Sequence, residues 1–402
     1  MFSLKDNLML SRLVCSKNNL FFAFLVAGYI FGVILYDFIE FKYTDELMAL
    51  FLCLFAGVIV WERKNWKELI PVVIIITIFL FYAIYSFIIQ SNVPKAIFTD
   101  LLIQIKPFLG FYCAYLIAPQ FSSSQKYFIS ILCLVVGGLL IIVGLSGQLY
   151  TLFGHPSRFA TAAIATAFLF LYCSTYKWSD VFIFLFLLTI GFFSTRAKFY
   201  GFWAVATSLI VFTKLGGQIR LSWKSIIMGI FICLLAIWFA REKIIIYYID
   251  GMMNSREIWS RPAMLFTSGQ ILYDYFPFGC GLGSFGTFAS AEYYSPIYET
   301  YSLDHIWGLS KDMPIFICDA FYPELAQFGI IGVILYFFFW YTIIRKSTSM
   351  SIHKSVYIWM VFLFFLIEGI ADSTFTHNRG LFVLIILALM MTRKDEVEER
   401  NI

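Results

Sequence analysis

The chain has 402 residues, 61% of them hydrophobic and only 13% charged, with a net charge of +4. A soluble globular protein is roughly 45–50% apolar and about 25% charged, so this composition excludes a soluble enzyme. The basic residues are dispersed among short connectors, which leaves no concentrated patch for nucleic acid.

In chain order, Lys5, Arg12 and Lys17 precede a first apolar run at 20–36. No small-residue cleavage site follows it, so it reads as a retained span rather than a removed signal. Further apolar runs lie near 46–61, 69–89, 101–118, 127–146, 159–174, 181–193, 199–212, 225–240, 325–344, 356–373 and 381–391. Such runs predict an all-α, polytopic integral membrane protein of about 12 transmembrane helices. With both termini inside, the inner segments carry 17 Lys/Arg and the short outer connectors 6. That positive-inside bias makes the one long connector extracytoplasmic. It spans residues 241–324, between the ninth and tenth spans, and is read as a loop inserted into a single membrane domain, 1–402. Its 84 residues hold ten carboxylates against five Lys/Arg.

Several cations stand where a membrane protein rarely places them. Lys106 lies inside the fourth span, followed by Pro107, which is expected to kink the helix. Arg158 opens the sixth span. Arg196 and Lys198 fill the turn between the seventh and eighth, and Arg379 precedes the last. With Arg256 in the long loop, six cations are expected at one depth on the outer side. Each alone reads equally well as an anchor snorkelling to the head groups. As a group they suit an anion, since guanidinium forks bind phosphate oxygens in bidentate fashion. A lipid-linked pyrophosphate carries its charge at that depth.

Within the loop, Ser255 is expected to cap a helix running from Arg256 towards Tyr275. Its Ile258, Trp259, Leu265, Phe266, Ile271 and Leu272 suggest a face lying on the membrane surface. The glycines 279, 281, 283 and 286 follow no strand, so they read as a tight turn against other backbone and not as a nucleotide loop. Gly329 and Gly332 read as aids to close helix packing. Among the carboxylates, Asp319 is the sharpest candidate for a base, because it lies where the chain returns to the membrane; His305 is the second. Tyr293, Tyr294, Tyr298, Tyr301 and Trp307 read either as platforms for sugar rings or as an interfacial belt. Cys280 and Cys318 share an oxidising compartment and admit a disulfide. His155, His305, His353 and His377 show no metal-ligand spacing, and no metal or other cofactor is expected.

Arg256-Glu257-Ile258-Trp259, followed by Pro277-Phe278-Gly279-Cys280-Gly281-Leu282-Gly283-Ser284-Phe285, resembles the loop pattern R-x-x-W … P-x-G-x-G-x-G-S-F of bacterial O-antigen polymerases and the related O-antigen ligases. Glu324–Gly332 resembles that family's E-L-A-x-x-G-I-I-G re-entry into the membrane, and Ser194-Thr195-Arg196 its S-R turn before a span. The resemblance implies a metal-independent membrane glycosyltransferase whose donor is an undecaprenyl-pyrophosphate-linked glycan. It assigns Arg158, Arg196 and Arg256 to the pyrophosphate. The ligases carry a loop His, usually followed by Asn, where this chain has Cys318-Asp319-Ala320. The departure favours a polymerase, which transfers glycan to the non-reducing-end hydroxyl of a second lipid-linked unit. The alternatives are a ligase acting on lipid A core and, from another class, a flippase for the lipid-linked sugar. The expected setting is a bacterial inner membrane, with cytoplasmic termini and a periplasmic active face. Membrane lipids and a chain-length-regulating protein are its expected partners.

Overall fold

In lipid a backbone must satisfy its own hydrogen bonds, so apolar runs of this length become helices. The computed structural model describes residues 4–39, 41, 43–217, 227, 234, 238, 241–242, 245–250 and 258–393. The ninth run (bar three positions), Ser255, Arg256 and all but Arg393 of the charged tail 393–400 lie outside the described residues. Among the described residues the regular structure is helical throughout, and no strand forms. The longer helices are α1 (Leu4–Tyr29), α2 (Thr44–Arg63), α3 (Ile70–Ile89), α4 (Pro94–Ile117), α5 (Ser123–Ser146), α6 (Pro156–Cys173), α7 (Trp178–Thr189), α8 (Ala197–Lys214) and α9 (Ser260–Asp274). They continue with the short α10 (Tyr322–Ala326), then α11 (Gly329–Ser347), α12 (Ile352–Glu368) and α13 (Asn378–Thr392).

Among the described residues seven segments are long and apolar enough to cross a membrane: Lys17–Ile34, Thr44–Arg63, Trp66–Ile89, Pro94–Ile117, Ser123–Ser146, Pro156–Cys173 and Gly329–Ser347. The chain is thus an all-helical protein compatible with multiple membrane passes. Other expected spans form shorter apolar helices, such as Trp178–Ser194 and Asn378–Thr392. The fourth begins earlier than its apolar run, at Pro94, a residue whose fixed φ suits a first helical turn. It runs through Pro107 as one helix.

Two compact units divide the chain. The first comprises 1–65, 110–199 and 381–402. Its centre is α6, where every residue except Arg158 is buried. The reason is in the stretch 160–167, mostly Ala and Thr, whose small side chains admit neighbouring helices closely. Helices α5 and α7 pack against α6, and Gly137 of α5 leaves room for Leu187, which a Cβ would meet at 2.5 Å. Tyr29 donates to Thr166 Oγ1 at 2.8 Å. Two cations satisfy carbonyls that helix ends leave open. Arg63 donates to Leu116 O and Ile117 O, and Arg393 to Tyr172 O and Ser174 O.

The second unit comprises 66–109 and 200–380. The described part of the long loop belongs to it and has a core of its own, in which Met264, Ile271, Phe285, Tyr298, Leu309 and Ile317 are buried together. Tyr298 is therefore a core residue and not a sugar platform: it is 0% exposed. Its hydroxyl accepts from Gly286 N at 3.0 Å and pairs with Ser290 Oγ at 2.8 Å. Tyr294 packs on its ring and donates to Leu309 O, and Tyr301 donates to Asp274. Tyr293, with Lys95 over its ring, is half-buried like Tyr294 and Tyr301, and Trp307 is exposed. The helix expected from Arg256 is seen from Ser260. Cys280 and Cys318 are both free thiols. Burial pushes the Cys280 thiol up to about 12 and that of Cys318 up to about 11.

Candidate functional site

The glycine-rich turn builds the framework. Gly279, Gly281, Gly283 and Gly286 all have positive φ, a conformation that costs a glycine little. Ser86 accepts from Leu282 N at 2.7 Å, Ser91 donates to Leu282 O, and Asn92 donates to Gly283 O at 2.7 Å. Side chains from the α3–α4 corner thus satisfy the turn's backbone. On its other side the turn meets the re-entry segment. Gly281 N donates to Gln327 O at 2.9 Å, and a Cβ on either Gly279 or Gly329 would come within 2.3 Å of the other's nitrogen. The close approach expected of Gly329 is therefore made to the turn. It also splits the expected tenth span: Gly329 has φ +64°, which interrupts the helix between α10 and α11.

Beneath the turn lies a buried polar network. Asp100 Oδ2 accepts from Gly283 N and from Gln327 Nε2, both at 2.8 Å. Gln104 Nε2 donates to Glu324 Oε2 at 2.7 Å and lies 3.4 Å from Asp100 Oδ1. Thr376 reaches the same Glu324 oxygen at 3.4 Å. Glu324 is 2% exposed, and burial pushes its carboxyl up to about 8. Asp100 and Gln104 were not among the expected site residues. Their signal was a polar pair four apart on an apolar helix, a spacing that places both on one face.

Asp319 lies in the same unit, ion-paired with Arg261. Arg261 Nε and Nη2 both donate to Asp319 Oδ2, at 2.9 and 2.6 Å. Both side chains are mostly buried, and Tyr322 donates to the carbonyl of Arg261 at 3.1 Å. Sequence reasoning counted Arg261 among the loop cations without singling it out, because nothing local ties it to a carboxylate 58 positions away. Lys106 and Arg379 are buried in this unit. His305 is exposed, with Nδ1 4.0 Å from Asp304, and joins none of these groups.

Arg158, Arg196 and Lys198 belong to the first unit, where Lys198 is half-buried. The corner before α6 sets Arg196 against His155. His155 caps α6, and its Nε2 lies 2.7 Å from Arg196 Nη2. His155 Nδ1 lies 3.3 Å from Ser157 N, so the guanidinium and the backbone N–H compete for the one acceptor nitrogen of a neutral imidazole. Arg158 follows three residues on and is ion-paired with Asp37 at 2.8 Å. Arg196 differs: among the described residues it meets an imidazole and no carboxylate. Its charge is available to an anion.

The described residues hold no cluster of three or more His, Cys, Asp or Glu suited to a metal ion. The fold and these sites define an all-helical protein compatible with multiple membrane passes, with a buried polar network in its second unit. No family model, curated protein or solved structure matches the chain.

Proposed function

We propose that the protein polymerises lipid-linked polysaccharide repeat units, as its resemblance to O-antigen polymerases implies. The observation that carries this reading is Arg196, a guanidinium beside His155, which lies three residues before Arg158, with no carboxylate among the described residues to neutralise it. In this reading Arg158 and Arg196 hold the pyrophosphate of the undecaprenyl-linked donor and stabilise its charge as it leaves. The bond from the sugar's anomeric carbon to the pyrophosphate breaks, and a bond from that carbon to the acceptor hydroxyl forms. A general base takes the hydroxyl proton, the role expected of Asp319 from the sequence. The packing of the glycine turn against the re-entry segment supports the reading, because it makes one framework of two stretches that carry the resemblance.

The test is glycan chain length on gels from cells deleted for the gene and complemented with wild type, Arg196→Ala or Asp319→Ala. A polymerase gives single-repeat glycan on deletion, and each variant at normal protein level lowers polymerisation by roughly 10²–10³-fold. Long lipid-linked chains that never reach the surface would instead establish the ligase. Single units trapped on the cytoplasmic side would establish the flippase.

A further inference from the structure

Helix α9 has two unlike faces. Ala263, Met264 and Ile271 point into the loop core. On the other side Trp259, just before the first turn, and Phe266 and Tyr273 are exposed and seven residues apart. That spacing is close to two helical turns and lines them up. Tyr273 is 84% exposed, and Phe276 beyond the helix end 70%. A solvated helix face would carry charged residues here. This one carries none between Trp259 and Tyr273 apart from Arg261, which is turned to Asp319. Asp274 at the helix end is engaged by the Tyr301 hydroxyl at 2.7 Å.

The stripe is continuous with surfaces that a bilayer covers. Past Phe276, the ring of Phe278 packs at 5.1 Å on Phe81 and at 5.7 Å on Tyr85. Phe81, Ile84 and Ile88 face outward along α3, one of the membrane-crossing segments. Helix α9 also packs against α11, where Ile334, Phe337 and Phe338 face outward. An apolar patch of this kind marks an interaction surface, and Trp and Tyr prefer the boundary between head groups and acyl chains.

We propose that the outward face of α9 is a membrane-seating surface, buried in the head-group region of the same bilayer that α3 and α11 cross. Its occupant is phospholipid. The continuity with α3 and α11 favours lipid over a second protein chain, since such a chain would have to displace lipid from both helices. The inference is independent of the proposed activity, because its readout is lipid contact.

The experiment places p-benzoylphenylalanine at Phe266, at Tyr273 and, as a control, at the exposed Glu299. The full chain is then irradiated in nanodiscs of phosphatidylethanolamine and phosphatidylglycerol, and adducts are identified by mass spectrometry. The expected result is lipid adducts at 266 and 273 in yields roughly tenfold above those at 299. Yields equal to the control, or cross-links to a second copy of the chain, overturn the proposal. Tyr273 stands almost free of the fold, so its substitution leaves the test intact if the change at Phe266 prevents folding.

Discussion

At Asp319 one carboxylate oxygen takes two hydrogens of Arg261, which fixes the plane and depth of the candidate base. Hydrogen bonds to charged groups contribute about 1.5–3 kcal/mol when well buried. Solvent reaching this partly exposed pair reduces that, so a double-mutant cycle of Arg261→Gln and Asp319→Asn should show a coupling of about 1 kcal/mol. Thermal unfolding in detergent measures it, and additive effects would mean that the pair does not act as a unit. Glu324 makes a prediction of the opposite electrostatic kind. Its carboxyl is raised from the ordinary 4.5 to about 8 by burial, so the folded state keeps a proton that the unfolded chain has released. The stability this confers is full below the unfolded value and is lost as pH climbs towards the folded one. The apparent Tm of the wild type should therefore fall by several degrees between pH ~6 and pH ~9, and that of Glu324→Gln by less than half as much. Equal falls would place Glu324 in contact with water.

Between elements, the decisive join is the one between the glycine turn and the break separating α10 from α11. Gly279 and Gly329 both have positive φ, and each excludes a Cβ on the other because backbone lies within 2.3 Å. Replacing Gly279 by Ala adds a left-handed-region penalty to a clash that no rotamer relieves, and should cost about 1–3 kcal/mol or more. Gly269, on the exposed face of α9, has no atom within 4 Å of a Cβ. Ala there should stabilise by up to about 1 kcal/mol through helix propensity. Paired thermal unfolding of Gly279→Ala and Gly269→Ala tests both signs at once. If both variants destabilise alike, the steric account of the join is wrong.

For the whole molecule, the prediction concerns orientation. The bias of 17 inner Lys/Arg against 6 in short outer connectors should place the loop unit outside the cytoplasm. Alkaline phosphatase fused after Glu299 should be active, and after Thr348, just past Arg345 and Lys346, inactive. The reverse pattern would invert the topology and put Arg196 on the cytoplasmic side, where the proposed donor is not polymerised.

The helical class and the rough positions of most apolar helices among the described residues were legible in the sequence. A backbone in lipid must close its hydrogen bonds locally, so hydropathy, which is local, predicts where helices lie. The glycine turn was legible too, since four glycines within eight residues answer to backbone crowding whatever the partner. The partners were not legible. Arg261 meets Asp319 58 positions away, Gly283 meets Asp100 across 183, and Gln104 meets Glu324 across 220. A charged or amide side chain in such a protein can snorkel, cap a helix, pair or bind a ligand, and its residue type is the same in each case. Which of these it does depends on what packing brings within about 3 Å of it. Arg63 became a helix cap, Arg261 a carboxylate's partner and Arg196 a cation beside an imidazole only once the tertiary structure had placed their neighbours.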